Sequence, residues 1–199
     1  MKVLDKGFVE VIDTLGNDLT VVNSARVSFG KRKTKWDKSD ERLVRYLAKH
    51  KHHSPFRHLQ IQFHIKAPEF VMRQWYKHVV GIETTSNRRQ SEDNKQASEG
   101  KIESQELADF IWSSTLESTR NAYTTLLRLG MAKEQARAIL PLSQYTEVYW
   151  TASFQAVMNF IELRDEKTSQ WEIQEYAKVV KELCLTSFPK ITKLWLENN

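Results

Sequence analysis

Cysteine occurs once in the 199 residues, at Cys184. That excludes an intrachain disulfide framework and fits a reducing compartment. Glycine and proline are scarce, at 6 and 4 residues, so the chain is not of low complexity. No run of about 18 apolar residues exists to span a membrane, and no apolar stretch near the start reads as a secretory signal. There is no arginine-rich arm, no zinc-finger spacing and no aromatic RNA-binding motif. These absences lead us to expect a cytoplasmic protein whose partners are neither membranes nor nucleic-acid polymers.

What is present suits one globular domain over 1–199. Hydrophobic residues make up 40% of the chain, enough for a real core. The formal charge of +5 is mild and favours an anionic ligand such as a nucleotide.

In chain order, Gly7 to Phe29 alternates apolar and polar residues around Leu15-Gly16-Asn17-Asp18, which predicts a strand and a hairpin-like return. Gly30 to Arg42 is basic with few apolar anchors and reads as a solvated loop, with Ser39 as the cap of a following helix. All six histidines lie between 50 and 78. Their spacing matches no zinc pattern, so no metal is expected. From His58 to Lys66 alternation is complete: Leu59, Ile61, Phe63 and Ile65 point to the core, and the polar residues face solvent, a site or a subunit contact. Gln105 to Leu129 reads as a long amphipathic helix stopped by Gly130, Ala132 to Leu140 as a short one carrying Arg137, and Trp150 to Arg164 as a third. Ser169-Gln170-Trp171-Glu172 has the form of a capping box opening a last long helix that Pro189 ends.

The stretch from Phe70 to Ser91 concentrates the chemistry. Arg73, Lys77, His78, Arg88 and Arg89 supply cations, and Thr84, Thr85, Ser86 and Asn87 supply hydroxyls and an amide. A helix from Pro68 to about His78 pairs Arg73 with Lys77 and Gln74 with His78, each four residues apart, before Gly81 opens a polar turn. One reading is a solvated basic helix end. The other is a site for a phosphate and a planar polar ring.

This stretch, together with KGFVEVIDTLGNDLTVVNSARVSF, KHKHHSPFRHLQIQFHIKAPEFVMRQW and ARAILPLSQYT…W…MNFIELR…QWEIQEYA, resembles the flavin-dependent thymidylate synthases over nearly the whole chain. The resemblance implies an α+β fold, a twisted antiparallel sheet packed with helices, in a homotetramer with active sites at subunit interfaces. It implies methylation of dUMP at C5, with methylenetetrahydrofolate and NADPH as co-substrates and FAD as cofactor, and no cysteine nucleophile. It puts Gln74, Lys77, Ser86, Asn87, Arg88, Arg89, Arg137 and Arg164 at dUMP-contacting positions, with Arg164 and Ser86 in the catalytic roles. Ser28, His52, Ser54, His78, Val80 and Asn159 fall at positions near FAD.

The chain departs from the family signature of Arg-His-Arg followed by Ser-x-Arg. It has Lys77-His78-Val79, so lysine replaces a guanidinium fork and valine removes a cation. Ungapped, the second part falls on Asn87, Arg88 and Arg89. With one deletion it falls on Ser86, Asn87 and Arg88, which restores the serine and is preferred. Neither register supplies the family's glutamate, though Glu83 is nearby. Arg57 and Thr168 stand where many members have glutamate and histidine. The alternatives are a pyrimidine-nucleotide hydroxymethylase-like relative and a non-catalytic nucleotide-binding paralogue. The polar run at about 92–103 reads as a loop.

Overall fold

In a computed structural model of the chain, residues 1–78 and 104–198 are described. The strands are β1 (Lys2–Val3), β2 (Gly7–Leu15), β3 (Gln60–Pro68) and β4 (Tyr145–Ser153). The helices are α1 (Asp18–Ala25), α2 (Lys38–Lys49), α3 (Glu69–Trp75), α4 (Gln105–Arg128), α5 (Lys133–Ala136), α6 (Phe154–Arg164), α7 (Trp171–Ser187) and α8 (Pro189–Leu196). The four strands form one antiparallel sheet in the order β1-β2-β3-β4, so the expected α+β class is correct.

The alternation in β3 sets the layers. Ile61, Phe63 and Ile65 pair with Ala152, Trp150 and Val148 on β4 and point with Val9 of β2 into the core. α6 and α7 cover that face, with α3 beside them and α1, α2 and α8 beyond. α6 is the central piece, for all but four of its residues are buried. On the outer face cross-strand partners satisfy the polar residues. His64 sits between Glu10 (2.9 Å) and Glu147 (3.2 Å), Lys66 pairs with Glu147 at 2.9 Å, and Gln62 donates to Thr151 at 2.8 Å. Lys66, ahead of His64, holds the Glu147 carboxyl below its usual range.

Several expectations fail. The return after Gly16 is not a hairpin but helix α1. Gly16 takes φ +92° and Asn17 caps the helix, receiving Leu19 N–H at 3.0 Å while Thr20 Oγ1 accepts Asn17 N–H at 2.9 Å. The β-branched Val21 and Val22 suggested a strand, yet they are the helix's buried face. Trp150 to Ser153 belongs to β4, and the helix begins only at Phe154, with Ser153 Oγ as its cap. Trp150, Phe154 and Val157 happen to fall at helical spacing, which hid the strand. The Ser169 capping box does not form, because the buried Ser169 hydroxyl donates instead to Leu163 O at 2.9 Å.

The basic segment after Gly30 is not simply solvated. Asn23 grips Lys33 by both backbone groups, at 3.0 and 2.7 Å. Asp37, not Ser39, caps α2, and Asp40 returns the bond to Asp37 N–H at 2.9 Å. Asp40 is wholly buried and takes Arg26 at 2.9 Å and Lys33 at 3.3 Å. Asp40→Ala is expected to remove the returning bond of the capping box and both ion pairs together, lowering stability by about 2–3 kcal/mol. Urea unfolding that returns the wild-type midpoint would contradict this.

Candidate active site

α3 begins at Pro68 and buries Val71, Met72 and Trp75, which fixes the helix's rotation. Arg73 and Lys77 are therefore exposed, while Gln74 and His78 are half-buried towards the end of α6. Trp75 stacks on Phe160 of α6 with centroids 4.3 Å apart, and the His78 ring meets Phe160 edge-on at 5.1 Å. That wall brings Arg164, the last residue of α6, against both polar residues. Arg164 Nε donates to His78 Nε2 at 2.8 Å and its Nη2 reaches Gln74 O at 3.5 Å.

An arginine never gives up its charge in a protein, so the acceptor nitrogen of His78 must be bare and its proton must sit on Nδ1. Burial, reinforced by the Arg164 cation, pushes the His78 pKa down to about 4. His78 is thus a neutral ring whose Nδ1–H is a fixed donor. Burial also lowers the Arg164 pKa. The acids nearest it in sequence are engaged elsewhere: Asp165 pairs with Lys181 at 2.9 Å, and Glu162 accepts Trp195 Nε1–H at 2.5 Å. Among the described residues Arg164 has no carboxylate partner, so its charge faces whatever anion or carbonyl enters.

A second group lies where α1 meets the turn Ser54–His58. Ser24 Oγ donates to Pro55 O at 3.2 Å, fastening the end of α1, which leads into the Val27–Phe29 turn with Ser28, to the Ser54–His58 turn. Val27 and Phe29 flank Ser28 and are 76% and 75% exposed. The two groups are joined through α6. Arg57 Nε donates to Gln155 Oε1 at 2.7 Å, and Gln155 Nε2 donates to His53 Nδ1 at 2.7 Å. Arg57, in place of a glutamate, is thereby accommodated by a buried amide. From Gln155 to Arg164 the helix rises about 14 Å, and Asn159 lies between them, half-buried.

Gln74, His78 and Arg164 are thus brought together through Arg164, while Ser54 lies in the Ser54–His58 turn, His52 just before it, and Ser28 on the Val27–Phe29 turn that follows α1. Among the described residues Lys77 and Arg137 join neither group. Arg137 is exposed after α5, and its side chain makes no hydrogen bond among the described residues. Val79, Val80, Glu83, Ser86, Asn87, Arg88, Arg89 and the 92–103 run lie outside the described residues. Sequence reasoning missed Gln155 and Gln170. Gln155 was visible only as an amide in an apolar helix, and Gln170 was absorbed into the capping reading. Cys184 is buried, and burial pushes its thiol up to about 12, which leaves it protonated and unfit as a nucleophile.

Because its folded pKa lies below the unfolded value near 6.5, His78 costs stability as pH falls from about 6.5 towards 4 and costs nothing above that window. In Arg164→Met the cation is gone, and the His78 titration followed by NMR is expected to move upward while staying below the ordinary value. An unmoved midpoint would mean that the 2.8 Å contact does not set the ring's protonation.

Comparison with known proteins places this geometry. Residues 10–190 match the family described as thymidylate synthase complementing protein. The flavin-dependent thymidylate synthase of Thermosipho melanesiensis is 40% identical, covering 96% of this chain and 93% of that one. The enzyme of the same name from Thermotoga neapolitana is 39% identical over the same shares. A crystal structure of PolB from Streptomyces cacaoi, a UMP/dUMP methylase bound with 5-Br dUMP, aligns with a TM-score of 0.80 at 26% identity, over 99% of this chain and 97% of that one. With a matched span that includes β3, α3, α6 and the whole Gln74–His78–Arg164 cluster, this chain belongs to the thymidylate synthase complementing protein family.

Proposed function

We propose that the protein is a flavin-dependent thymidylate synthase. It methylates dUMP at C5, taking the carbon from methylenetetrahydrofolate and reducing equivalents from NADPH through FAD. It works in the cytoplasm as one domain over 1–199, assembled into a homotetramer with sites between subunits. The observation that carries the reading is the half-buried Arg164 cation, without a carboxylate partner among the described residues and locked to a neutral His78.

Arg164 stabilises negative charge that develops on the uracil carbonyls when C5 becomes nucleophilic, a role for a preorganised cation in a site of low water content. Gln74 and Lys77 belong to the same nucleotide site, together with Ser86, Asn87, Arg88 and Arg89 of the signature segment. The catalytic roles fall to Arg164 and Ser86. Arg137 reaches the phosphate from a second subunit, which accounts for its distance from the cluster within one chain. The inert Cys184 leaves activation of the base to these polar groups.

The residues present suit FAD. Ser28, His52 and Ser54 offer polar groups beside the uncovered Val27 and Phe29, while the His78 Nδ1–H, Asn159 and the segment at Val80 offer a second set. The rise of about 14 Å between the ends of α6 suits an extended dinucleotide rather than a mononucleotide. When bound, the flavin supplies hydride chemistry that no side chain can. His78 would hold a flavin acceptor atom with its fixed N–H, and Arg164 would keep the ring from becoming a cation.

Assembly is supported by α4. None of its 24 residues is buried, and Leu107, Phe110, Ile111 and Trp112 are 57%, 68%, 55% and 62% exposed. Contiguous apolar side chains of this size mark an interface, and second copies in a closed oligomer are the occupants that fit the family's shared sites.

The purified protein is expected to be yellow, to bleach with NADPH, and to convert dUMP to dTMP. A 5-hydroxymethyl product would instead favour the hydroxymethylase-like alternative, and a colourless protein that binds dUMP without turnover the non-catalytic one. Arg137→Ala and Arg164→Ala are each expected to weaken dUMP by roughly one to two decades, the worth of a charge-assisted contact. Calorimetric affinities equal to wild type in both would remove the site assignment. Phe110→Glu with Ile111→Glu is expected to dissociate the tetramer in light scattering, and an intact tetramer would place the interface elsewhere.

A further inference from the structure

Gln170 occupies the N-cap position of α7 but makes no capping bond with its side chain. A helix start ordinarily carries Ser, Thr, Asp or Asn at this position to satisfy an orphan N–H. Here the amide is turned the other way, and its Oε1 accepts Gln74 Nε2–H at 2.6 Å. The turn that carries it is tied down independently. Ser169 N–H reaches Glu166 O at 3.0 Å, Ser169 Oγ reaches Leu163 O at 2.9 Å, and Gln174 Nε2 reaches Ser169 O at 2.6 Å. The turn beneath Gln170 is therefore held, and its side-chain oxygen is directed at α3.

We propose that Gln170 is a positioning residue for the nucleotide: it fixes the rotamer and polarity of the Gln74 amide from outside the site. The inference rests on the reading of Gln74 as a dUMP contact. A glutamine side chain has three rotatable bonds, and its amide presents a donor on one side and an acceptor on the other. Left alone, Gln74 would sample orientations that offer the wrong polarity to the substrate, and ordering it would count against binding. With Nε2 engaged by Gln170, Oε1 remains as the acceptor with no partner among the described residues, and its orientation is set before the ligand arrives. Arg164 Nη2 on Gln74 O, at 3.5 Å, holds the backbone of the same residue. The ligand thus meets a side chain restrained at both ends, by α7 through its amide and by α6 through its carbonyl.

The test is a double-mutant cycle on the FAD-loaded tetramer with Gln170→Met, Gln74→Ala and the two combined, read by calorimetric dUMP affinity and by steady-state kinetics. Methionine matches the length of glutamine and cannot accept the bond as an amide does, and α7 loses no cap. Gln170→Met is expected to weaken dUMP about threefold to tenfold, raising KM with kcat unchanged, and to leave the melting temperature in place. In the Gln74→Ala background the same change is expected to do nothing further. Additive losses in the double variant, or a fall in kcat together with melting temperature, would show that Gln170 serves only the fold and would overturn the inference. Wild-type affinity in Gln74→Ala would be a different failure: it would remove the nucleotide role of Gln74 itself, and the role of Gln170 with it.

Discussion

A guanidinium that loses water and gains no carboxylate is costly to keep, and Arg164 is kept that way. Its hydrogen bonds go to a neutral imidazole and a backbone carbonyl, neither of which offsets a full charge. Asp165 turns to Lys181, and Glu162 turns to Trp195, so the acids adjacent on the helix are drawn aside. Such an arrangement is tolerated where a ligand completes it. The same cation depresses the His78 pKa and thereby makes that ring a one-way donor. The charge of Arg164 and the protonation of His78 are therefore coupled through one 2.8 Å bond.

That bond exists because α6 is buried. A sheet whose inner face is Val9, Ile61, Phe63 and Ile65 needs an apolar helix over it, and Phe154, Val157, Met158, Phe160 and Ile161 supply one. Packing of this density leaves little freedom of rotation, so the polar residues of α6 are presented at set places. Gln155 at one end fastens the Ser54–His58 turn through Arg57 and His53, and Arg164 at the other fastens the end of α3. The replacement of a family glutamate by Arg57 is absorbed here, since a buried amide can accept from arginine with its oxygen and donate to histidine with its nitrogen. The lowered pKa of His53, caused first by burial, keeps that ring neutral and able to accept.

How much of this was legible in the chain follows from the range of the signals. β3 and α3 were plain, because strict alternation and a proline start are local patterns. α1 was misread because its β-branched residues sit where tertiary packing overrides propensity, and the end of β4 because Trp150 falls at helical spacing with the apolar residues of α6. Of the cluster, the Gln74–His78 pair followed from helical spacing, while the closure of Arg164 onto both, across about 90 residues of sequence, had no local signal. Gln155 and Gln170 were missed, because each acts across about 100 residues of sequence, and nothing local distinguishes an amide aimed at a distant helix from one facing water. Arg137 lies at the limit of what one chain can reveal, since its partners within it are absent among the described residues.

α4 is where a single copy is physically unfinished. A helix of 24 residues without one fully buried side chain is held only by half-burial of residues such as Leu116, Tyr123 and Leu126, and isolated helices are marginal in water even at favourable lengths. Its sequence is not that of a solvated helix either, for Phe110, Ile111 and Trp112 are consecutive and open. Covering each such side chain is worth about 1.5–3 kcal/mol, a gain that only another surface can supply. α4 runs into α5 and then directly into Arg137, so a surface that docks on α4 also determines what Arg137 faces. If that surface is a second copy of the chain, the force that drives assembly is the same force that decides which groups the exposed Arg137 cation meets, so the setting of that cation depends on oligomerisation.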